Sequence, residues 1–252
     1  MPTFRARFYL ASNPDKKSCK KEHVFPLSTH LIGNNGQLFS GTLITHLGQH
    51  FKLYTSKIAG PIWYVYNTSF GIKTGKIEMQ EQKHKSSAVS GNIGESVVIP
   101  GISSSLGRTM NTLAFHRLKA YKLQCPDFRI YLSPSDLNKL WKTRLTLKKV
   151  VPDLPLEVKS SLSPDNYYPV EALQQLYRYW TQCPRSSHGF GIIARVYIKH
   201  SETIIRYYLF IPKKTFSMTK FKNIADGKGK AASKPDAQKK QSIVEEIGGL
   251  FY

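Results

Sequence analysis

Residues 126–161 read PDFRIYLSPSDLNKLWKTRLTLKKVVPDLPLEVKSS. Two short runs in it, DFRIYL at 127–132 and PLEVKSS at 155–161, have strand character. Between them SPSDLNKLWKTRLTLKKV at 133–150 carries the marks of a helix: a serine in the N-cap position and Leu137, Leu140 and Trp141 at helical spacing. Outward in both directions the same alternation continues. GESVVIPGISSSLG at 94–107 is amphipathic and helix-like, although Pro100 and Gly101 are expected to end or kink it. HRLKAYKL at 116–123 is strand-like. PVEALQQLYRYW at 169–180 is the strongest helix, with Pro169 near its first turn and Leu173, Leu176 and Trp180 as an apolar stripe. GFGIIARVYIKH at 189–200 and TIIRYYLFIP at 203–212 are two more strands. The order helix, strand, strand, helix, strand, helix, strand, strand belongs to an α/β protein with a mixed sheet.

Three units are expected along the chain. Residues 1–90 form a β-rich N-terminal domain: TFRARFYL at 3–10 alternates with the period of a half-buried strand, HFKLYTSK at 50–57 and PIWYVYNTSF at 61–70 read as further strands, and the polar stretch at 79–92 reads as a linker. Residues 91–212 form the α/β domain. Residues 213–252 are a flexible basic linker, DGKGKAASKPDAQKK at 226–240, ending in the apolar and acidic peptide SIVEEIGGLFY.

Charge narrows the function. Thirty-seven Lys and Arg against sixteen Asp and Glu leave a net charge of +21 over 252 residues. The excess is +8 over 1–90, +8 over 91–212 and +5 over 213–252, so it is a property of the whole surface and not of one arm. That balance suits a polyanion partner, DNA ahead of RNA, since no RNA-binding module is visible. No apolar run approaches the roughly 20 residues that span a bilayer. The N-terminus lacks the apolar stretch of a signal peptide, so a cytoplasmic protein is expected, nucleoid-associated in a prokaryote. Three widely spaced cysteines without a CxxC pair indicate neither a disulfide framework nor a cysteine zinc site.

In a chain so poor in carboxylates, an acid on an apolar strand asks for a reason. Glu157 and Lys159 stand two apart on one strand and therefore share a face. Such a pair is either an ordinary ion pair or a metal ligand beside a cation that orients water. Asp127 opens the preceding strand, behind Pro126. If the two strands are neighbours, Asp127 and Glu157 can meet on one hard divalent cation such as Mg²⁺. A third acid, Glu95, lies on the helix that opens the domain.

Glu95, then Pro126-Asp127, then Glu157-Val158-Lys159, in that order, resembles the PD-(D/E)XK nuclease superfamily, the restriction-endonuclease-like fold. The family core of helix, three strands, helix and strand would correspond to the helix at Glu95, the strands HRLKAYKL, DFRIYL and PLEVKSS, the helix PVEALQQLYRYW and the strand GFGIIARVYI. Gln175 and Tyr179 resemble the QxxxY element of some members. The resemblance spans residues 91–212, with the helix after Asp127 as an insertion whose Lys139, Lys142, Arg144, Lys148 and Lys149 could lie along a phosphate backbone. It implies an Mg²⁺- or Mn²⁺-dependent endonuclease acting on DNA in restriction, defence, transposition or repair. Asp127, Glu157 and Glu95 would hold the metal, Lys159 would position water and phosphate, and Gln175 and Tyr179 would support the site. A different class of protein shares these features: a catalytically inactive nucleic-acid-binding or architectural subunit of a larger assembly. A protein partner could engage either the N-terminal domain or the C-terminal peptide, and no membrane is involved.

Overall fold

The computed structural model describes residues 3–14, 16–26, 87–108, 112–118, 126–143, 153–161, 167–183, 188–198 and 202–252. In chain order the elements are β1 (Thr3–Leu10), β2 (Lys21–Pro26), α1 (Ser87–Leu106), β3 (Phe115–Arg117), β4 (Phe128–Tyr131), α2 (Pro134–Trp141), β5 (Asp153–Ser161), α3 (Val170–Gln182), β6 (Gly191–Ile198), β7 (Glu202–Phe210), α4 (Met218–Ala225) and α5 (Asp236–Gly248). Seven strands form one mixed sheet in the order β2-β1-β7-β6-β5-β4-β3. β3, β4 and β5 are an antiparallel meander. β5 and β6 are parallel, as are β1 and β7, and the remaining pairs are antiparallel.

The period-two alternation of each strand divides the core into two layers. Leu154, Leu156 and Val158 of β5, Ile192, Ala194 and Val196 of β6, and Ile205, Tyr207 and Leu209 of β7 face α1 and α2. Ile193, Tyr208, Phe210 and Tyr9 face α3, α4 and α5. Helix α2 begins on a capping box between Ser133 and Asp136 and ends at Lys142, whose left-handed φ of 49° stops it far short of the span to residue 150 that the sequence suggests. Its Leu137, Leu140 and Trp141 are buried, and Trp141 stands edge-on to Phe8 at 5.1 Å.

Three expectations need correcting. First, α1 runs through Pro100 without ending. A mid-helix proline costs about 3 kcal/mol or more, but Val97, Val98, Ile99 and Ile102 are all buried against the sheet. The Tyr207 hydroxyl also donates to the Val98 carbonyl at 2.7 Å. Gly101 makes that approach possible, since a Cβ there would stand 2.2 Å from the Tyr207 hydroxyl.

Second, β1 and β2 do not belong to a separate unit: β1 lies between β2 and β7 in the same sheet as β5. A parallel partner some two hundred residues away leaves no local signal. The strands expected at 50–57 and 61–70 lie outside the described residues.

Third, the segment from 213 is folded rather than a flexible linker. Phe221, Ile224, Ile243, Val244, Ile247, Leu250 and Phe251 are buried, and the Tyr252 N–H bonds the Ile211 carbonyl at 3.0 Å. Lysines dominate the composition of this stretch but occupy the outer faces of α4 and α5. Among the described residues, no helix is long and apolar enough to cross a membrane.

Candidate active site

The antiparallel register of β4 and β5 runs to Phe128 opposite Leu156, so the next step sets Asp127 opposite Glu157. There the two strands part. The Val158 N–H is met by the side chain of Asp127 instead of a β4 carbonyl, at 2.8 Å to Oδ2. The Asp127 carbonyl accepts from the Leu118 N–H at 2.8 Å, which ties the start of β4 to the end of β3. A carboxylate from one strand is thereby fixed between Glu157 and Lys159 of the other.

Glu157 is wholly buried in the centre of a strand that is otherwise apolar on its other face. The Lys159 ammonium stands 2.5 Å from its Oε1. Lys159 is the one cation that meets this carboxylate among the described residues, and it meets it through Oε1. An ionised carboxylate in such a place is costly. Burial pushes its pKa up to about 8, and the neighbouring charge of Asp127 adds to the rise. Lys159 pulls the other way, and Glu95 adds a last, smaller push upward. Lys159 itself is about one third exposed and forms the open side of the pair.

Glu95 is brought near by the close packing of α1 on β5. A Cβ on Gly94 would stand 2.0 Å from Ser160 Oγ, so the glycine lets the helix come this close without displacing that hydroxyl. Glu95 is half-buried and acts on Glu157 through its charge. Among the described residues, however, no three His, Cys, Asp or Glu side chains gather as a set that could hold a metal ion. The acids that stand across from each other in the strand register are Asp127 and Glu157.

Compared with protein-family models, curated proteins and solved structures, the chain has no match.

The other anticipated residues divide. Tyr179 is buried on α3, with its pKa pushed up to about 12 by burial and by the charge of Asp153. It bonds Arg129, which pairs with Asp153 at 3.4 Å. Asp153 stands four residues from Glu157, about 13 Å along the strand, so Tyr179 supports Arg129 and not the carboxylate pair. Gln175 is half-buried one turn earlier on α3. The Lys139 ammonium is committed to the protein: it donates to the Leu106 carbonyl at 2.7 Å, capping the C-terminus of α1. Lys142 is exposed, whereas Arg144, Lys148 and Lys149 lie outside the described residues.

The sequence reading missed Arg195 and Arg206, which are 6% and 3% exposed in β6 and β7. Each interrupts an apolar strand, in GIIARVYI and ETIIRYYLF. A charged residue between apolar neighbours on a strand is the signal for them, as it is for Glu157.

Proposed function

We propose that this chain is a metal-dependent nuclease that hydrolyses phosphodiester bonds, with DNA as its substrate. The observation that carries the reading is Glu157: a wholly buried carboxylate set opposite a second carboxylate and beside an ammonium. The order α1, β3–β4–β5 meander, α3 and parallel β6 supports it, being the order that the resemblance to PD-(D/E)XK nucleases implies, with α2 as an insertion.

The donor set fits a hard divalent cation. Two carboxylates facing each other repel unless a positive charge lies between them, and Mg²⁺ accepts one or two protein carboxylates while keeping several waters. Asp127 and Glu157 would hold it, with Glu95 acting from the helix through its charge or through water. When bound, such an ion lowers the pKa of a water and offsets the charge that builds on the phosphate. The protein's own groups do the rest. Lys159 anchors the Glu157 carboxylate and presents a point charge at the open side, where a phosphate oxygen and the attacking water need orienting. The Val158 N–H holds Asp127 by one oxygen, so its carboxylate cannot swing away.

Cleavage of a labelled duplex with Mg²⁺ or Mn²⁺ tests the reading. E157Q and K159A are expected to lose cleavage by at least about a hundredfold, E157Q with DNA binding retained, and chelation should stop the wild type. Wild-type cleavage by E157Q, or cleavage that survives chelation, overturns the proposal. One observation favours a second reading, a subunit that binds nucleic acid without cutting it: the described residues gather no three-ligand set. In that case the wild type cuts nothing at any divalent-ion concentration, and its binding weakens steeply with salt.

A further inference from the structure

Strands β5, β6, β7, β1 and β2 are consecutive in the sheet. Their registers set Lys159 beside Arg195, Arg195 beside Arg206, Arg206 beside Arg7 and Arg7 beside Glu22. Residues in register share a face, and this face is that of Glu157, two residues from Lys159. Four cations therefore stand in one row that starts at the candidate site. Three interstrand steps of about 4.8 Å make it about 14 Å long.

Like charges directly opposite each other on one sheet face are destabilising, and this row contains three such steps in succession. Its middle is fixed: Arg195 donates to the Tyr167 carbonyl at 2.6 Å, and Arg206 bonds the Tyr208 hydroxyl. Its ends are open, with the Lys159 side chain 32% and the Arg7 side chain 23% exposed. The row closes on a carboxylate: Glu22 accepts from Arg7 Nε at 2.9 Å and is also paired with Arg5. Buried guanidiniums beneath two open cations focus a positive potential along the line. The matching ligand is linear, polyanionic and able to start at Lys159.

We propose that the open ends of this row hold the substrate's backbone: phosphates of one strand engage Lys159 at one end and Arg7 and Arg5 at the other, where they displace Glu22, while the buried Arg195 and Arg206 between them act through their charge alone. The length equals the axial rise of about four stacked nucleotides at about 3.4 Å each. The direction of the strand rests on the nuclease reading of Glu157 and Lys159; the seat itself does not.

The test is binding of a fluorescent single-stranded oligodeoxynucleotide by anisotropy, in EDTA, across a salt series. R7Q is expected to weaken binding roughly 3–10-fold and to lower the slope of log K against log salt by about 0.7, with R7K restoring the slope. E22Q, which frees Arg5 and Arg7, is expected to tighten binding more than D236N does. D236N makes the same change of net charge on an exposed residue of α5. If R7Q does not fold, the comparison of E22Q with D236N decides alone. Equal affinities for E22Q and D236N, or wild-type affinity and slope for folded R7Q, overturn the seat. Cleavage by E157Q separates the two readings: if it cuts while E22Q tightens binding, the seat stands and the nuclease site falls. If E157Q is inactive while E22Q equals D236N, the reverse holds.

Discussion

Glu157 sits where an ionised group is least welcome and where another carboxylate faces it. Its folded-state pKa of about 8 lies above the ordinary 4.5, with burial as the main cause and the Asp127 charge as the second. The sign follows from proton linkage. Between these two values the folded chain keeps a proton that the unfolded chain has released, so stability falls as pH rises. The contribution of the neutral acid is fully present below about pH 4.5 and is lost as pH passes through about 8. E157Q keeps the shape and cannot ionise. Whatever the two proteins' difference at pH 4.5, the wild type is expected to lose ground to E157Q up to pH 9 by on the order of a few kcal/mol in metal-free buffer. Urea denaturation at a series of pH values measures it, and a pH-independent difference would refute the assignment of that proton to Glu157. In the nuclease reading, Mg²⁺ should narrow the gap at pH 9, because only the ionised wild-type carboxylate gains from it.

At the scale of elements, the C-terminal helices are structural. Phe251 is wholly buried and stands edge-on to Phe210 at 5.1 Å, with Phe216 and Phe221 around it. F251A is expected to cost about 3–5 kcal/mol, lowering the melting midpoint by roughly 10 °C; a freely hanging tail would leave the midpoint unchanged. The same region marks the limit of what a single sequence discloses. Between Gly94 and Pro212 the apolar alternation places the described helices and strands in order, although α1 begins at Ser87, inside the stretch that reads as a linker, and the sharing of a face by Glu157 and Lys159 follows from that alternation alone. Ile243, Val244 and Ile247 become core only because Tyr208 and Phe210 offer a surface on β7, a fact that lies outside their own stretch of chain. Pro100 was read as a breaker because its cost is local, whereas the burial of Val98, Ile99 and Ile102 that offsets it is not. The pairing of Asp127 with Glu157 was legible as a conditional, needing only that two successive strands be neighbours. The arginine row depends on four strand registers, among them the parallel pairing of β1 with β7, and no window of sequence contains it.

At the scale of the whole molecule, the excess of twenty-one positive charges has opposite consequences for the free and the bound protein. In the free protein most of these charges repel one another, which loads the compact state, and the local ion pairs at Glu22, Asp136 and Asp226 relieve little of it. Added salt shortens the Debye length from about 30 Å at 0.01 M to about 8 Å at 0.15 M and screens the repulsion. The melting temperature of the free protein is therefore expected to rise over that range. With a saturating oligodeoxynucleotide the trend should reverse. At low salt the bound strand stabilises the fold by mass action, and that gain disappears as the affinity falls with salt. The two melting curves should converge near the salt concentration at which binding is lost in a separate titration. A free protein whose melting temperature falls steadily with salt would mean that specific ion pairs outweigh the net charge. Parallel curves with and without the oligonucleotide would mean that the positive surface serves something other than nucleic acid.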